Sequence, residues 1–271
     1  MYYAQSGSNY WVQAHGKGTP ILFLHGFTGS SKTWDDFVST WRNQYRLLTI
    51  DLPGHGNTKT DKPIGMEDFC DHLALILENF SIEKVHVIGY SMGGRVALSF
   101  AMMYPDKVAS LVLESASPGL ESPHEQLSRQ VSDELLAKKI EEDGVHSFID
   151  YWQDIPLFDS QKKLPQSVRE NIREERLKQT TEGLTLSLRG MGTGRQPSWW
   201  GQLTNLTLPV LLVVGELDQK FVRIAKKMHK AFKYSQLEIV LNTGHAVHVE
   251  QAENFGTIVK AFVNAVQNDT K

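Results

Sequence analysis

The sequence is nearly without cysteine. Cys70 is the single one in 271 residues, so no internal disulfide can form, and no Cys/His cluster has the spacing of a zinc site. Long apolar runs are missing as well. No segment approaches the length needed to span a bilayer, and the stretch "MYYAQSGSNYWVQAHGKGTP" lacks a basic region followed by an apolar one. These absences predict a soluble, unprocessed, cytoplasmic protein with no membrane insertion. Excess positive charge is absent too: Lys plus Arg number 28 against 31 Asp plus Glu, a net charge of -3. That balance argues against nucleic acid as a partner and requires any anion site to be local. No internal repeat or low-complexity tract interrupts the chain, which sets aside repeat architectures.

What is present is alternation. Residues 2–14 alternate polar and aromatic side chains around "SGSN" and read as an N-terminal β-hairpin. Then come "PILFLHG", "YRLLTIDLPGHG", "KVHVIGYS", "VASLVLESA", "PVLLVVGE" and "LEIVLNTGH", short apolar runs closed by Gly, Pro, Ser or Asp. Such runs suit strands buried on both faces of a parallel sheet. Helical patterns lie between them. In "MEDFCDHLALILENF", Phe69, Leu73, Ile76, Leu77 and Phe80 recur at helical spacing, and Cys70 and His72 beside them read as packing or surface residues. The class predicted is α/β, a doubly wound, mostly parallel sheet. The alternation stops near Pro118. From about Ser122 to Trp200 the chain is charged, helical in pattern and without a strand candidate, and the charge run from Arg169 to Lys178 reads as a solvated helix face. The expected organisation is a core of residues 1–118 and 200–271 with a helical cap, residues 119–199, over the carboxyl ends of the strands.

Gly89-Tyr90-Ser91-Met92-Gly93 fits G-x-S-x-G, with an apolar strand before it and a helix pattern after it. A serine on so sharp a turn takes strained backbone angles, and glycines at 89 and 93 keep side chains out of the neighbouring elements. Its hydroxyl needs a base at neutral pH, and the base needs a carboxylate to fix its tautomer. Asp218 in "GELDQKF" and His245 in "NTGHAVHVE" each follow a strand, in the order Ser, Asp, His. Glu216 and His248 compete for those roles. Glu216 lies closer to its strand end and His248 falls in the next helix, so Asp218 and His245 are preferred. In "LFLHGFTGSSKTW" the backbone N–H of Phe27 can face the same space as that of Met92, completing an oxyanion site, and His25 is counted with the substrate-binding residues. Asp51, Gly54 and Gly56 in "DLPGHGNT" read as structural.

With "HGFTGS", "DLPGHG", "GYSMGGR", "GELD" and "GHAVHVE" in this order, the chain resembles the α/β-hydrolase superfamily over essentially its whole length. That likeness implies an α/β-hydrolase fold with a cap but leaves the reaction open. "GYSMGGRVALSFA", "VLESASPGLES" and "SRQVSDELLA" resemble more narrowly the MenH family, 2-succinyl-6-hydroxy-2,4-cyclohexadiene-1-carboxylate synthases of menaquinone biosynthesis. The resemblance implies a lyase: the triad promotes a 2,5-elimination of pyruvate from a succinyl-enolpyruvyl-hydroxycyclohexene carboxylate, with no metal and no organic cofactor. That substrate is a small polycarboxylate with three carboxylates. Arg95, one helical turn beyond Ser91, is placed to bind one of them through a bidentate fork. Arg129 and Arg176 align with cap arginines that contact substrate carboxylates in the family, Arg169 and Arg173 being alternatives to Arg176, and Tyr90 and Trp152 are expected to line the pocket.

Two rival readings stay open on sequence. One is a carboxylesterase or C–C bond hydrolase with the same triad; the other is a non-catalytic small-molecule receptor. The oligomeric state has no sequence signal.

Overall fold

A computed structural model describes residues 1–269. In chain order it runs β1 (Tyr2–Gln5), β2 (Ser8–His15), β3 (Thr19–Leu24), α1 (Asp35–Trp41), β4 (Tyr45–Ile50), β5 (Lys59–Thr60), α2 (Met66–Asn79), β6 (Val85–Tyr90), α3 (Met92–Met103) and β7 (Val108–Glu114). Next come three helices without a strand, α4 (Pro123–Gln153), α5 (Gln166–Leu177) and α6 (Thr181–Met191). The chain ends with β8 (Val210–Gly215), α7 (Gln219–Ala231), β9 (Ser235–Val240), α8 (Val247–Glu250) and α9 (Ala252–Asp269).

The apolar runs become one sheet in the order β1-β2-β4-β3-β6-β7-β8-β9, with β5 pairing β2. Pairing is parallel from β4 to β9, while β1, β2 and β5 are joined antiparallel. The β1–β2 hairpin turns at Ser6 and Gly7, both at positive φ, the geometry that matches strand twist in a two-residue turn. Strands β3, β6, β7 and β8 are buried on both faces because helices cover both sides. On one side Phe69, Leu73, Phe100 and Met228 meet the sheet; on the other Trp34, Phe37, Phe255 and Phe262 do. The α2 stripe is buried as its spacing predicts. Cys70 packs within it, and His72 accepts or donates a 2.7 Å hydrogen bond with the Tyr10 hydroxyl. β9 departs from expectation: Gln236 and Glu238 are exposed, because an edge strand is covered on alternate residues only.

The strand-free helices have their own apolar cluster, including Ala137, Ile140, Phe148, Leu184 and Leu188. Ser122 starts α4 through a reciprocal capping box with Glu125. Gly144, at φ 76°, breaks α4 in two. The loop after β4 meets α6 closely at Gly54, where a Cβ would collide with the Gly183 carbonyl. Asp51 accepts N–H groups from Ser31 (2.6 Å) and Asn57 (2.8 Å), so "DLPGHGNT" shapes its loop by backbone bonding.

Candidate active site

Ser91 sits between β6 and α3 at φ 51° and ψ -108°, a strained conformation for a residue with a side chain. Its N–H is held by the Glu114 carbonyl at 2.8 Å, and its own carbonyl accepts from Arg95 N–H to start the helix. The turn closes only because its flanks lack side chains. A Cβ on Gly93 would overlap the Leu24 and His25 carbonyls, and one on Gly89 would overlap Gly93. We therefore expect Gly93→Ala to cost roughly 3 kcal/mol or more, read as a lower denaturant midpoint with a loss of activity; a midpoint equal to wild type would contradict this packing.

The serine hydroxyl meets two groups delivered by other strand ends. His245, in the loop after β9, places Nε2 3.0 Å from Ser91 Oγ and Nδ1 2.6 Å from an Asp218 carboxylate oxygen. Asp218 follows β8, caps α7 by accepting Phe221 N–H at 3.3 Å, and is buried with His245. A backbone bond from Leu217 N–H to Thr243 O, 2.9 Å, ties the two loops together. The competitors are engaged elsewhere: Glu216 accepts Asn242 N–H, and His248 binds Glu114. Such an array lets a hydroxyl lose or relay a proton while the carboxylate holds the imidazole tautomer.

Met92 N–H opens α3 and has no partner within the helix, and Phe27 N–H takes part in no hydrogen bond among the described residues. Both residues line the cavity over Ser91, so the two donors are available to an oxygen there. Two buried imidazoles brace the Phe27 loop. His25 Nε2 accepts Leu52 N–H at 2.9 Å, and His55 Nε2 accepts Thr28 N–H at 3.2 Å, so both rings are neutral with the proton on Nδ1. Burial lowers His25 to about 4 and His55 to about 3, the latter also pushed down by His25. Both folded values lie below the ordinary histidine value, so the unfolded chain binds protons that the native one refuses. Their stabilising contribution is therefore full above about pH 6.5 and falls as pH drops toward 4, by on the order of a few kcal/mol. Urea midpoints measured between pH 7.5 and 4.5 should decline; a flat profile would contradict the neutral assignment.

The cavity is about 300 Å³, walled by Phe27, Trp152, Leu188 and Met191 around Ser91 and His245. Arg95 projects into it from α3. Its Nη1 donates to Met191 O (2.8 Å) and Gln196 Oε1 (3.4 Å); no carboxylate is paired with it, and Nε and Nη2 are free among the described residues. Burial, with the nearby Arg129 charge, lowers its pKa to about 10, so the guanidinium stays charged at neutral pH. Arg129 also lines the cavity, anchored by Nε to Asp133 at 2.7 Å, an acid that also accepts Gly194 N–H. Trp152 serves both readings, packing on Phe27, Phe148 and Phe158 while facing the cavity.

One sequence expectation is corrected, and two further residues lie beside the cavity rather than in its lining. His25 is fully buried with both ring nitrogens bonded, so it supports the loop and does not reach the cavity. Tyr90 is partly buried beside the catalytic histidine, its ring 5.4 Å from the His245 imidazole and 4.6 Å from that of His248, and does not itself line that cavity. Arg176 is buried over the ring of Phe158, close enough to Tyr90 for its charge to act on that hydroxyl, and has no hydrogen bond or ion pair among the described residues; it borders a neighbouring hollow with Arg169 and Arg173. In sequence the run reads as a solvated helix face, and that pattern does not single out Arg176 as the arginine that is buried. Sequence reasoning also passed over Glu114. Its carbonyl holds Ser91 N–H while its fully buried carboxylate takes both His248 N–H and Nδ1, joining the nucleophile's turn to the helix after His245. An acid closing an otherwise apolar strand was the available signal.

A parallel sheet with a strained serine after β6 and an acid and a histidine after its last two strands defines a class, and residues 19–252 match its sequence profile: the chain belongs to the α/β hydrolase fold family. It is 45% identical to a candidate 2-succinyl-6-hydroxy-2,4-cyclohexadiene-1-carboxylate synthase of Bacillus subtilis, over 91% of this chain and 90% of that one. It is 32% identical to the synthase of the same name from Citrobacter koseri, over 88% and 92%. Among solved structures, MenH from S. aureus superposes with a TM-score of 0.91 at 35% identity, covering 95% of this chain and 98% of that one. Within the α/β hydrolase fold, the chain stands with these synthases.

Proposed function

We propose that the protein is a lyase of menaquinone biosynthesis that converts 2-succinyl-5-enolpyruvyl-6-hydroxy-3-cyclohexene-1-carboxylate to 2-succinyl-6-hydroxy-2,4-cyclohexadiene-1-carboxylate and pyruvate. The relatives named for that product support the reading, and the observation that carries it is Arg95: a charged guanidinium with no carboxylate bonded to it, facing the cavity that holds Ser91 and His245. An enzyme for neutral esters has no use for that charge, whose burial without a directly bonded carboxylate is costly.

In this reading Ser91, with its proton passed to His245 and the charge balanced by Asp218, removes the proton from the ring carbon bearing the succinyl group. The C–H pair forms an enolate whose oxygen is held by Phe27 and Met92 N–H. As the carbonyl re-forms, the electrons move through the ring double bond and break the bond to the enolpyruvyl oxygen. The enolpyruvate takes up a proton and becomes pyruvate; no redox change occurs. Arg95 and Arg129 bind carboxylates, Trp152 packs on the ring, and residues 119–199 act as the cap that shields the cavity from water. Among the described residues no helix is long and apolar enough to cross a membrane; we place the enzyme in the cytoplasm on its single cysteine and its small polar substrate.

Reaction in oxygen-18 water separates elimination from hydrolysis by the same triad. Elimination leaves no label in the ring product. One oxygen-18 atom in a newly formed carboxylate would assign a hydrolase instead.

A further inference from the structure

Between α4 and α5 the chain forms a short 3-10 helix, Pro156–Lys163, that meets the surroundings of His245 at three points. Leu157 lines the cavity over Ser91, and the Phe158 ring stands 6.2 Å from the His245 imidazole. Ser160 then donates its hydroxyl to Glu250 Oε1 at 2.9 Å, the one hydrogen bond among the described residues that joins this segment to the loops at the strand ends. The other oxygen of Glu250 serves the catalytic loop. Glu250 closes α8, and its Oε2 accepts the N–H of Gly244, the residue before His245, at 2.8 Å. No cation is paired with Glu250 among the described residues, so both donors meet an ionised acceptor, which strengthens each bond. The approach is close: a Cβ on Gly244 would overlap the Ser160 side chain. Beside this contact the segment and the Asp218 loop are parted by a hollow of about 310 Å³, so apolar packing does not fix their separation there.

We infer that Glu250 is a positioning residue that couples the cap to the catalytic base, holding the His245 loop in register with the 3-10 segment so that His245 aligns with Ser91 while that segment is seated. The inference rests on the lyase reading above for the reaction it serves. Glu250 does not line the cavity and makes no hydrogen bond to Ser91, Asp218 or the His245 side chain, so it acts through Gly244. A small drift of the imidazole weakens proton transfer far more than substrate binding, which places the effect on kcat.

The test compares the full-length protein with Ser160→Ala, Glu250→Ala, the double variant and Glu250→Gln. Pyruvate release should show kcat lowered about 30-fold in Glu250→Ala and about fivefold in Ser160→Ala, with KM within about twofold in both. The double variant should be no slower than Glu250→Ala, because the hydroxyl acts through the carboxylate. Glu250→Gln should recover most of the rate, since its amide oxygen can accept Gly244 N–H while its NH2 group faces the Ser160 oxygen. Wild-type kcat in Ser160→Ala, or losses that multiply in the double variant, would reduce Glu250 to a loop support and overturn the coupling. Ser160→Ala deletes one partly exposed hydroxyl, so it decides the matter even where Glu250→Ala does not fold. Labelling of Ser91 by a fluorophosphonate gives a readout independent of the lyase reading: the serine oxygen bonds to phosphorus, fluoride leaves, and His245 takes the proton. Labelling should slow across the variants in the same order as kcat. A wild type that is labelled but releases no pyruvate defeats the lyase reading and leaves the labelling rates to decide the coupling; one that does neither defeats both.

Discussion

Ser91→Ala is expected to lower pyruvate release by about 10³-fold with little change in KM, because the hydroxyl is the group aligned with both His245 and the oxyanion donors. The loss should fall on kcat, since a proton transfer is a transition-state event and the carboxylate contacts remain. The same variant separates an enzyme from a receptor. A receptor would show no turnover in the wild type and unchanged ligand affinity in the variant. Turnover at the wild-type rate in Ser91→Ala would move the role of base to His245 alone. The substitution removes one oxygen from a turn whose backbone is fixed by Glu114, Gly89 and Gly93, so the fold should be retained, and a circular dichroism melt checks this.

Arg95→Met should reduce kcat/KM by about 10²- to 10³-fold, roughly 3–4 kcal/mol, mostly through KM. The guanidinium is built into its place by bonds to Met191 O and Gln196 Oε1, and the rest of its fork faces the cavity. Arg95→Lys should recover only part of the loss, because an ammonium does not reproduce two parallel donors. Steady-state kinetics of both variants over a range of salt gives the comparison. If Arg95→Met keeps the wild-type KM, the arginine is a scaffold residue tying α3 to the loop after α6, and the carboxylate reading of the cavity fails.

The strands were legible because each apolar run in this sheet is bounded by a residue that ends it, and the hairpin because Ser6-Gly7 permits positive φ. Ser91, Asp218 and His245 were legible for a related reason: each follows a strand end, so chain order already fixes neighbourhood. Residues on the strand-free helices were harder. Arg129 and Arg176 carry the same charge on similar amphipathic surroundings, yet one reaches the cavity and the other stacks on Phe158; helix packing, not local pattern, decides. Histidine was ambiguous in the same way. His25 lies beside the oxyanion loop in sequence, but a ring with both nitrogens spent on backbone groups cannot also meet a ligand. Glu114 carried no motif weight of its own, and only its bond to His248 reveals it.

The most direct measurement is release of pyruvate when the purified protein meets the enolpyruvyl substrate, followed together with the conjugated diene product. The account predicts one pyruvate per diene formed, at a rate well above the spontaneous elimination. No release above that background would contradict it.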